Sequence, residues 1–307
     1  MRDAVAAEKS AVRCCTSPAW TLAVPSPIEL PAPCRRIPMP TLRIHDADVF
    51  VHRQGRGRPL LMLHGNPDSH RLWLPMIERL QADHDCIAPD LPGFGASGVP
   101  AANDVTLAGF AGWVDDLLNA LGIGEPVDLI VHDVGGFYGL AWAVRHPERL
   151  RRLVITNTLM HADYRWHFWA RVWRSRFGEL AMRAFDWPLL GRLGHRLTMH
   201  QGGPGLSSAQ IDEAFQHFHA GARAQVLRIY RETDPGKFAP WLAPLCAVIA
   251  DHPTRVLWGE RDPFIPRHYA ERFGAADVRL LAQAGHWAVA EAPERCAALV
   301  REHLGSA

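Results

Sequence analysis

The sequence predicts an α/β protein: a mostly parallel β-sheet flanked by helices and interrupted late in the chain by a block of helices. Three observations carry this. Short apolar runs alternate with helix-period segments through residues 39–158. The alternation stops over residues 159–240, which read as helical throughout. It returns in residues 241–307. Strands alternating with helices at this interval build βαβ units, whose strands run parallel. The expected organisation is one core formed by 39–158 and 241–307, a helical insertion at 159–240, and an N-terminal extension at 1–38.

The elements follow in order. Pro25, Pro27, Pro31, Pro33 and Pro38 crowd a stretch without sustained periodicity, so 1–38 is expected to be disordered. Asp3, Glu8 and Lys9 interrupt the apolar run that a secretory signal requires. Met39 stands just before the first strand-like run. Residues 41–45 and 49–52 read as a short strand pair, and 60–63, between Pro59 and Gly65, as a buried strand. Residues 72–80 carry helical spacing. Residues 86–88 form a strand ending at Pro89-Asp90. An amphipathic helix is predicted over 107–121, a strand over 127–131, a helix over 136–144 and a strand over 150–156. The insertion carries Trp166, Trp169, Trp173, Phe177 and Trp187 among many Arg. After it come a strand at 255–258, a helix at 268–273, a strand at 278–281 and a helix at 293–304.

Composition narrows the function. The chain is 48% hydrophobic, enough for a large core. Its formal charge is +1, which argues against a nucleic-acid partner. Of 33 basic residues only Lys9 and Lys237 are Lys, and the Arg are scattered rather than clustered. No apolar run approaches the roughly 18–20 residues needed to span a bilayer, so no membrane partner is expected. Cys14, Cys15, Cys34, Cys86, Cys246 and Cys296 include no C-x-x-C pair. Neither a disulfide framework nor a metal site is expected, and a reducing, cytoplasmic location fits.

Four motifs carry chemistry. In Val131-His132-Asp133-Val134-Gly135-Gly136 a buried strand runs into a Gly pair and then a helix. A tight strand-to-helix turn needs small residues after its apex, because the backbones approach closely. The apex is Asp133, placed as a nucleophile; Asp is also a good helix N-cap. No G-x-S-x-G occurs, which disfavours a serine esterase. The loop His64-Gly65-Asn66-Pro67 follows its own strand and can aim the Asn66 N–H at the apex, where it and the Val134 N–H would form an oxyanion hole. The same tripeptide also makes a good turn. Asp262, in Gly259-Glu260-Arg261-Asp262, and His286, in Gly285-His286-Trp287, each follow a strand and are placed to meet. An Asp nucleophile needs no activating base. The His is required afterwards, to activate water, and an acid orients it.

This order of oxyanion loop, nucleophile, acid and His resembles the α/β-hydrolase superfamily over about residues 41–305. The H-G-N-P, H-D-x-G-G and G-H-W motifs are similar to those of the haloalkane dehalogenase and epoxide hydrolase branch, as is Asp90-Leu91-Pro92-Gly93-Phe94-Gly95. The resemblance implies a cofactor-free hydrolase with a helical cap after the sixth strand. Asp133 would attack an electrophilic carbon of a small apolar substrate and form an alkyl-enzyme ester. His286, oriented by Asp262, would direct water onto that ester.

The leaving group separates the members of this branch. The resemblance implies haloalkane dehalogenation first, with Asn66 and a cap Trp, Trp169 or Trp173, as halide donors. Val134 departs from the Trp expected after the nucleophile. Epoxide hydrolysis is the alternative, since Tyr230, 32 residues before Asp262, resembles a cap Tyr that donates to the ring oxygen. Tyr164 is a poorer match. A β-lactone-cleaving relative and a non-catalytic receptor of the same fold complete the readings. The intact Asp133, Asp262 and His286 speak against the receptor.

Overall fold

The computed structural model describes residues 41–305. The expected disordered extension at 1–38, with Cys14, Cys15 and Cys34, lies outside the described residues.

Among the described residues nine strands form two sheets. β1 (Leu42–Ile44) and β2 (Ala47–Val49) make an antiparallel ribbon. The other seven build the main sheet: β3 (Val51–Gly55), β4 (Arg58–Leu63), β5 (His84–Pro89), β6 (Val127–His132), β7 (Leu150–Thr156), β8 (Thr254–Gly259) and β9 (Asp277–Leu281). Their spatial order is β3-β5-β4-β6-β7-β8-β9, and only β3 runs antiparallel to its neighbour. The strand pair predicted over 41–52 is therefore corrected. Val51 and His52 of its second half belong to the main sheet, and Leu42–Ile44 pairs with Ala47–Val49, of which the prediction included only Val49. This extra strand makes β7 the seventh in chain order, though the insertion follows the predicted residue.

The central strands are buried on both faces, which is why they read as continuous apolar runs. Leu60 to Leu63 on β4 and Leu129 to Val131 on β6 have no exposed surface. Each such side chain contributes about 1.5–3 kcal/mol of burial relative to an exposed one. α2 (Leu107–Ala120) starts at the Thr106 cap, whose hydroxyl accepts from the Gly109 N–H, and packs on α3 (Val134–Arg145). The seam is aromatic: Phe110 stacks on Tyr138 at 4.2 Å between centroids, and Trp113 meets Tyr138 edge-on. α1 (Leu74–Leu80) packs against the C-terminal helix over Pro293–Leu304.

Between β7 and β8 the described chain is helical. It contains α4 (Phe168–Arg174), α5 (Gly178–Arg183), α6 (Pro188–Gly202), α7 (Ser208–His217), α8 (Ala220–Glu232) and α9 (Ala239–Asp251). α9 returns to the core and packs on α3. The short α10 (His268–Glu271) and α11 (Ala288–Glu291) precede the C-terminal helix, α12. No helix among the described residues is long and apolar enough to cross a membrane.

Candidate active site

The parallel strands β4, β6, β7 and β8 end at one edge of the sheet, and the loops leaving them meet there. Ligands bind at this edge in open α/β sheets because the diverging loops leave a crevice.

β6 passes into α3 through a single residue, Asp133, at φ 46° and ψ −123°. An L-residue holds this conformation only when its surroundings impose it. Here the Asp133 N–H donates to the Asn157 carbonyl at 3.2 Å, and the Thr158 hydroxyl donates to the Asp133 carbonyl at 2.6 Å. The turn brings α3 hard against the loop after β4. A Cβ on Gly135 would lie 2.3 Å from the Leu63 carbonyl oxygen, and one on Gly65 would lie 2.4 Å from the Asp133 Cβ.

That closeness places the oxyanion loop. The Asn66 N–H donates to Asp133 Oδ1 at 2.9 Å. Val134 is the first residue of α3, so its N–H has no intrahelical acceptor. The loop is held from below by the buried His64. The Leu91 N–H donates to its Nε2 at 2.9 Å, which leaves the proton on Nδ1, donating to the Gly65 carbonyl at 2.7 Å. Burial depresses the His64 pKa to about 4, so the imidazole stays in the neutral form that can make both bonds.

His286 stands beside Asp133. Its Nδ1–H donates to Asp262 Oδ2 at 2.8 Å, and its Nε2 lies 3.5 Å from Asp133 Oδ2. Asp262 is fully enclosed and fully partnered. Oδ1 accepts from the Phe264 and Ile265 N–H groups at 2.8 and 2.9 Å, and Oδ2 also accepts from the Asn157 side chain at 2.8 Å. A buried carboxylate with its lone pairs filled this way is fixed in orientation.

Burial raises the Asp133 pKa, but the neighbouring His286 and then the Asn66 N–H outweigh it, holding the carboxyl far below the usual range. Burial lowers the His286 pKa, and Asp262 together with Asp133 drives it upward past its ordinary value. The two groups therefore rest as an ion pair. Were the Asp133 carboxylate neutralised, one of the two carboxylates that hold the proton on His286 would be lost, and the imidazole could then act as a base.

Above these residues is a cavity with mainly apolar walls, including Phe137, Leu159, Trp166, Trp173 and Phe264. Asp133, Asn66, Val134, His286, Trp173 and Tyr230 all line it. Trp169 is corrected: it is half-buried among the cap helices and does not line the cavity. Trp166, in the loop that leads into α4, lines it instead, with a buried indole N–H that meets no acceptor. The path of that loop decides which Trp reaches the cavity, and composition does not carry it. The two cap phenols are also sorted. The Tyr164 hydroxyl is used, donating to the Phe264 carbonyl at 2.8 Å. The Tyr230 pKa is raised well above its ordinary value by burial and then by the Asp133 charge, so its hydroxyl keeps its proton. The Trp287 N–H is occupied by Asp68 at 2.7 Å.

The sequence reading missed Asn157. It is fully buried at the end of β7 with φ 37°. Its carbonyl accepts from the Asp133 N–H, its amide N–H₂ donates to Asp262, and its Oδ1 accepts from the Gly259 N–H at 3.1 Å. One residue thus ties the Asp133 turn to Asp262. A polar residue closing an apolar strand was the only available signal. Asn157→Gly keeps the positive φ without strain and deletes the amide. Without that donor the Asp262 charge is less dispersed and holds the His286 proton more strongly. The expected result is a roughly 10–100-fold slower second step, with its pH profile displaced to higher pH and the alkylation step little changed. Single-turnover kinetics across pH reads both; an unmoved profile would remove the positioning role.

Among the described residues no group of three or more His, Cys, Asp or Glu side chains converges as a metal site.

The sequence was compared with known proteins. Residues 58–293 match the family model described as alpha/beta hydrolase fold. The chain is 30% identical to a cis-3-alkyl-4-alkyloxetan-2-one decarboxylase of Shewanella oneidensis, over 78% of this chain and 80% of that protein. It is 28% identical to epoxide hydrolase 4 of Mus musculus, over 82% and 76%. It is 36% identical to a haloalkane dehalogenase of Psychrobacter cryohalolentis, over a shorter 38% and 40%.

Proposed function

The chain belongs to the alpha/beta hydrolase fold family, and within it we propose an enzyme that opens a strained oxygen ring by nucleophilic attack of Asp133 on carbon. The observation that carries this reading is Tyr230. Its protonated hydroxyl shares the cavity with Asp133, close enough for the Asp133 charge to raise its pKa. A departing ring oxygen needs a donor of this kind, and halide has no need of a proton.

In the first step an Asp133 oxygen forms a bond to the ring carbon, the ring C–O bond breaks, and the oxygen takes a hydrogen bond or proton from Tyr230. The mainly apolar walls leave the carboxylate poorly hydrated and therefore more reactive. In the second step His286 Nε2 takes a proton from water, the hydroxide adds to the ester carbon of Asp133, and the Asn66 and Val134 N–H groups hold the oxyanion. Collapse expels the alkoxide, which takes the proton from His286 and leaves as the alcohol, and the proton left on the Asp133 carboxyl returns to Tyr230 where Tyr230 gave one up, or to solvent, restoring the Asp133 carboxylate. Two relatives that align over most of this chain bear names that refer to oxygen rings, an oxetanone and an epoxide, which supports the same class.

Carbon–halogen cleavage is the second reading. It is favoured by Asn66 at the cavity wall and by the unpartnered Trp166 N–H. It lacks an indole directly after the nucleophile, where Val134 stands.

Intact mass of the His286→Phe variant tests both. Without the base, the ester on Asp133 accumulates. An adduct carrying the whole mass of an alkyl epoxide or an alkyl β-lactone, with none from a bromoalkane, is the expected result. An alkyl adduct lacking bromine from the bromoalkane alone moves the assignment to dehalogenation. No adduct from any of the three, in a variant that remains folded, removes Asp133 as nucleophile.

A further inference from the structure

The outer surface of the insertion is apolar where a solvated helix should be polar. Among the described residues, eight of the ten most exposed large hydrophobic side chains fall between Phe168 and Leu197. Trp187, Leu189, Leu193 and Leu197 are 66%, 81%, 52% and 62% exposed. α6 explains the arrangement. Gly191, His195 and Met199 form its buried row, and His195 and Met199 line the active-site cavity. Leu189, Leu193 and Leu197 are each offset two positions from that row. At about 100° per residue this places them on the opposite side. A helix that is apolar on both sides is ordinarily buried. This one has the cavity beneath it and solvent above.

The charge around these side chains points to what covers them. Residues 159–202 contain seven Arg and three acids. Each of the acids is already engaged: Asp163 by Arg272, Glu179 by Arg231 and Asp186 by Arg223. Among the described residues, Arg171, Arg176 and Arg183 have no carboxylate partner, and all three are exposed. Arg171 follows the exposed Phe168 by three residues on α4, and the Arg176 guanidinium lies 4.7 Å from the Phe177 ring centre. α4 packs on α5, and α5 continues through a tight turn into α6, so the Arg and the apolar side chains belong to adjoining elements. A second copy docked about a two-fold axis would bring these unpaired Arg face to face, at a repulsive cost. An anionic lipid surface neutralises them and accepts the Leu, Phe and Trp side chains below its headgroups.

We propose that the outer face of α4, α5 and α6 rests on anionic membranes, with the active-site cavity directly beneath α6. The enzyme then meets apolar substrates where they concentrate. The expectation of no membrane partner rested on the lack of a spanning segment. A helix lying in the interface plane needs none.

Co-sedimentation of the full chain with phosphatidylcholine vesicles, with and without phosphatidylglycerol, tests this. The protein is expected to sediment with the mixed vesicles and to be released by high salt. Leu189→Ser/Leu193→Ser/Leu197→Ser should lose sedimentation while keeping the thermal midpoint, because these side chains make no core contacts. Arg171→Gln/Arg176→Gln/Arg183→Gln should lose the preference for phosphatidylglycerol, by about fivefold for each Arg near the surface. No sedimentation of the unmodified chain with mixed vesicles overturns the proposal. So does a dimer in sedimentation velocity that the triple Ser variant dissociates, since the face would then join two copies. Neither readout depends on catalysis, so failure here leaves the role of Asp133 untouched.

Discussion

Asp133→Asn is expected to lower kcat by about ten-thousand-fold or more, the scale seen when a covalent nucleophile is removed. The substitution is close to isosteric, and Asn tolerates a positive φ better than other residues with a Cβ, so the turn at φ 46° is retained. The neutral amide is a far weaker nucleophile, and no ester should form even in single-turnover mass measurements. Apolar ligands should still enter, because the cavity walls are unchanged. A second signature separates loss of chemistry from loss of fold. Asp133 is one of two carboxylates that raise the His286 pKa, so the imidazole of the variant should titrate lower than in the parent, readable by NMR. Turnover within tenfold of the parent would eliminate the displacement mechanism.

Gly135→Ala is expected to give a large loss of stability. The new Cβ would meet the Leu63 carbonyl oxygen at 2.3 Å and the His64 carbonyl oxygen at 2.5 Å. Both contacts are backbone atoms in a strand end and its loop, so no flexible side chain can yield. Overpacking of this kind costs on the order of 3 kcal/mol, which lowers the thermal midpoint by about 5 °C in a chain of this size. Relief requires α3 to withdraw from β4, which carries Asp133 away from the Asn66 N–H. Activity should therefore fall with stability, and a low-temperature assay should not restore it. A midpoint within about 2 °C of the parent would mean that the turn has room this geometry denies.

Much of the site was legible because its constraints are local. The turn at Asp133 must hold small residues where two backbones touch, so Gly135 and Gly136 appear in the sequence beside it. Each motif residue follows a strand, and parallel strands deliver their ends to one edge. Order along the chain was therefore enough to expect Asp133, Asp262 and His286 to approach one another. The central strands were legible for a similar reason: burial on both faces demands unbroken apolar runs, as in Leu60 to Leu63.

What the sequence by itself determined about this protein is the fold class, the edge where the chemistry sits and the residue types that meet there. Tertiary structure alone decided the rest. Asn157 gains its role from partners 24 residues before it and 105 residues after it. Tyr164 is removed from the candidates by a carbonyl 100 residues away, which leaves Tyr230. Trp166, in the loop before α4, lines the cavity where Trp169 does not, and Leu42–Ile44 finds its partner in a strand too short to show a pattern. In each case the deciding quantity is the position of a group distant in the chain. Local propensity and periodicity describe only what a residue does among its sequence neighbours, whereas a hydrogen bond or a cavity wall is fixed by whatever the fold brings within a few ångströms.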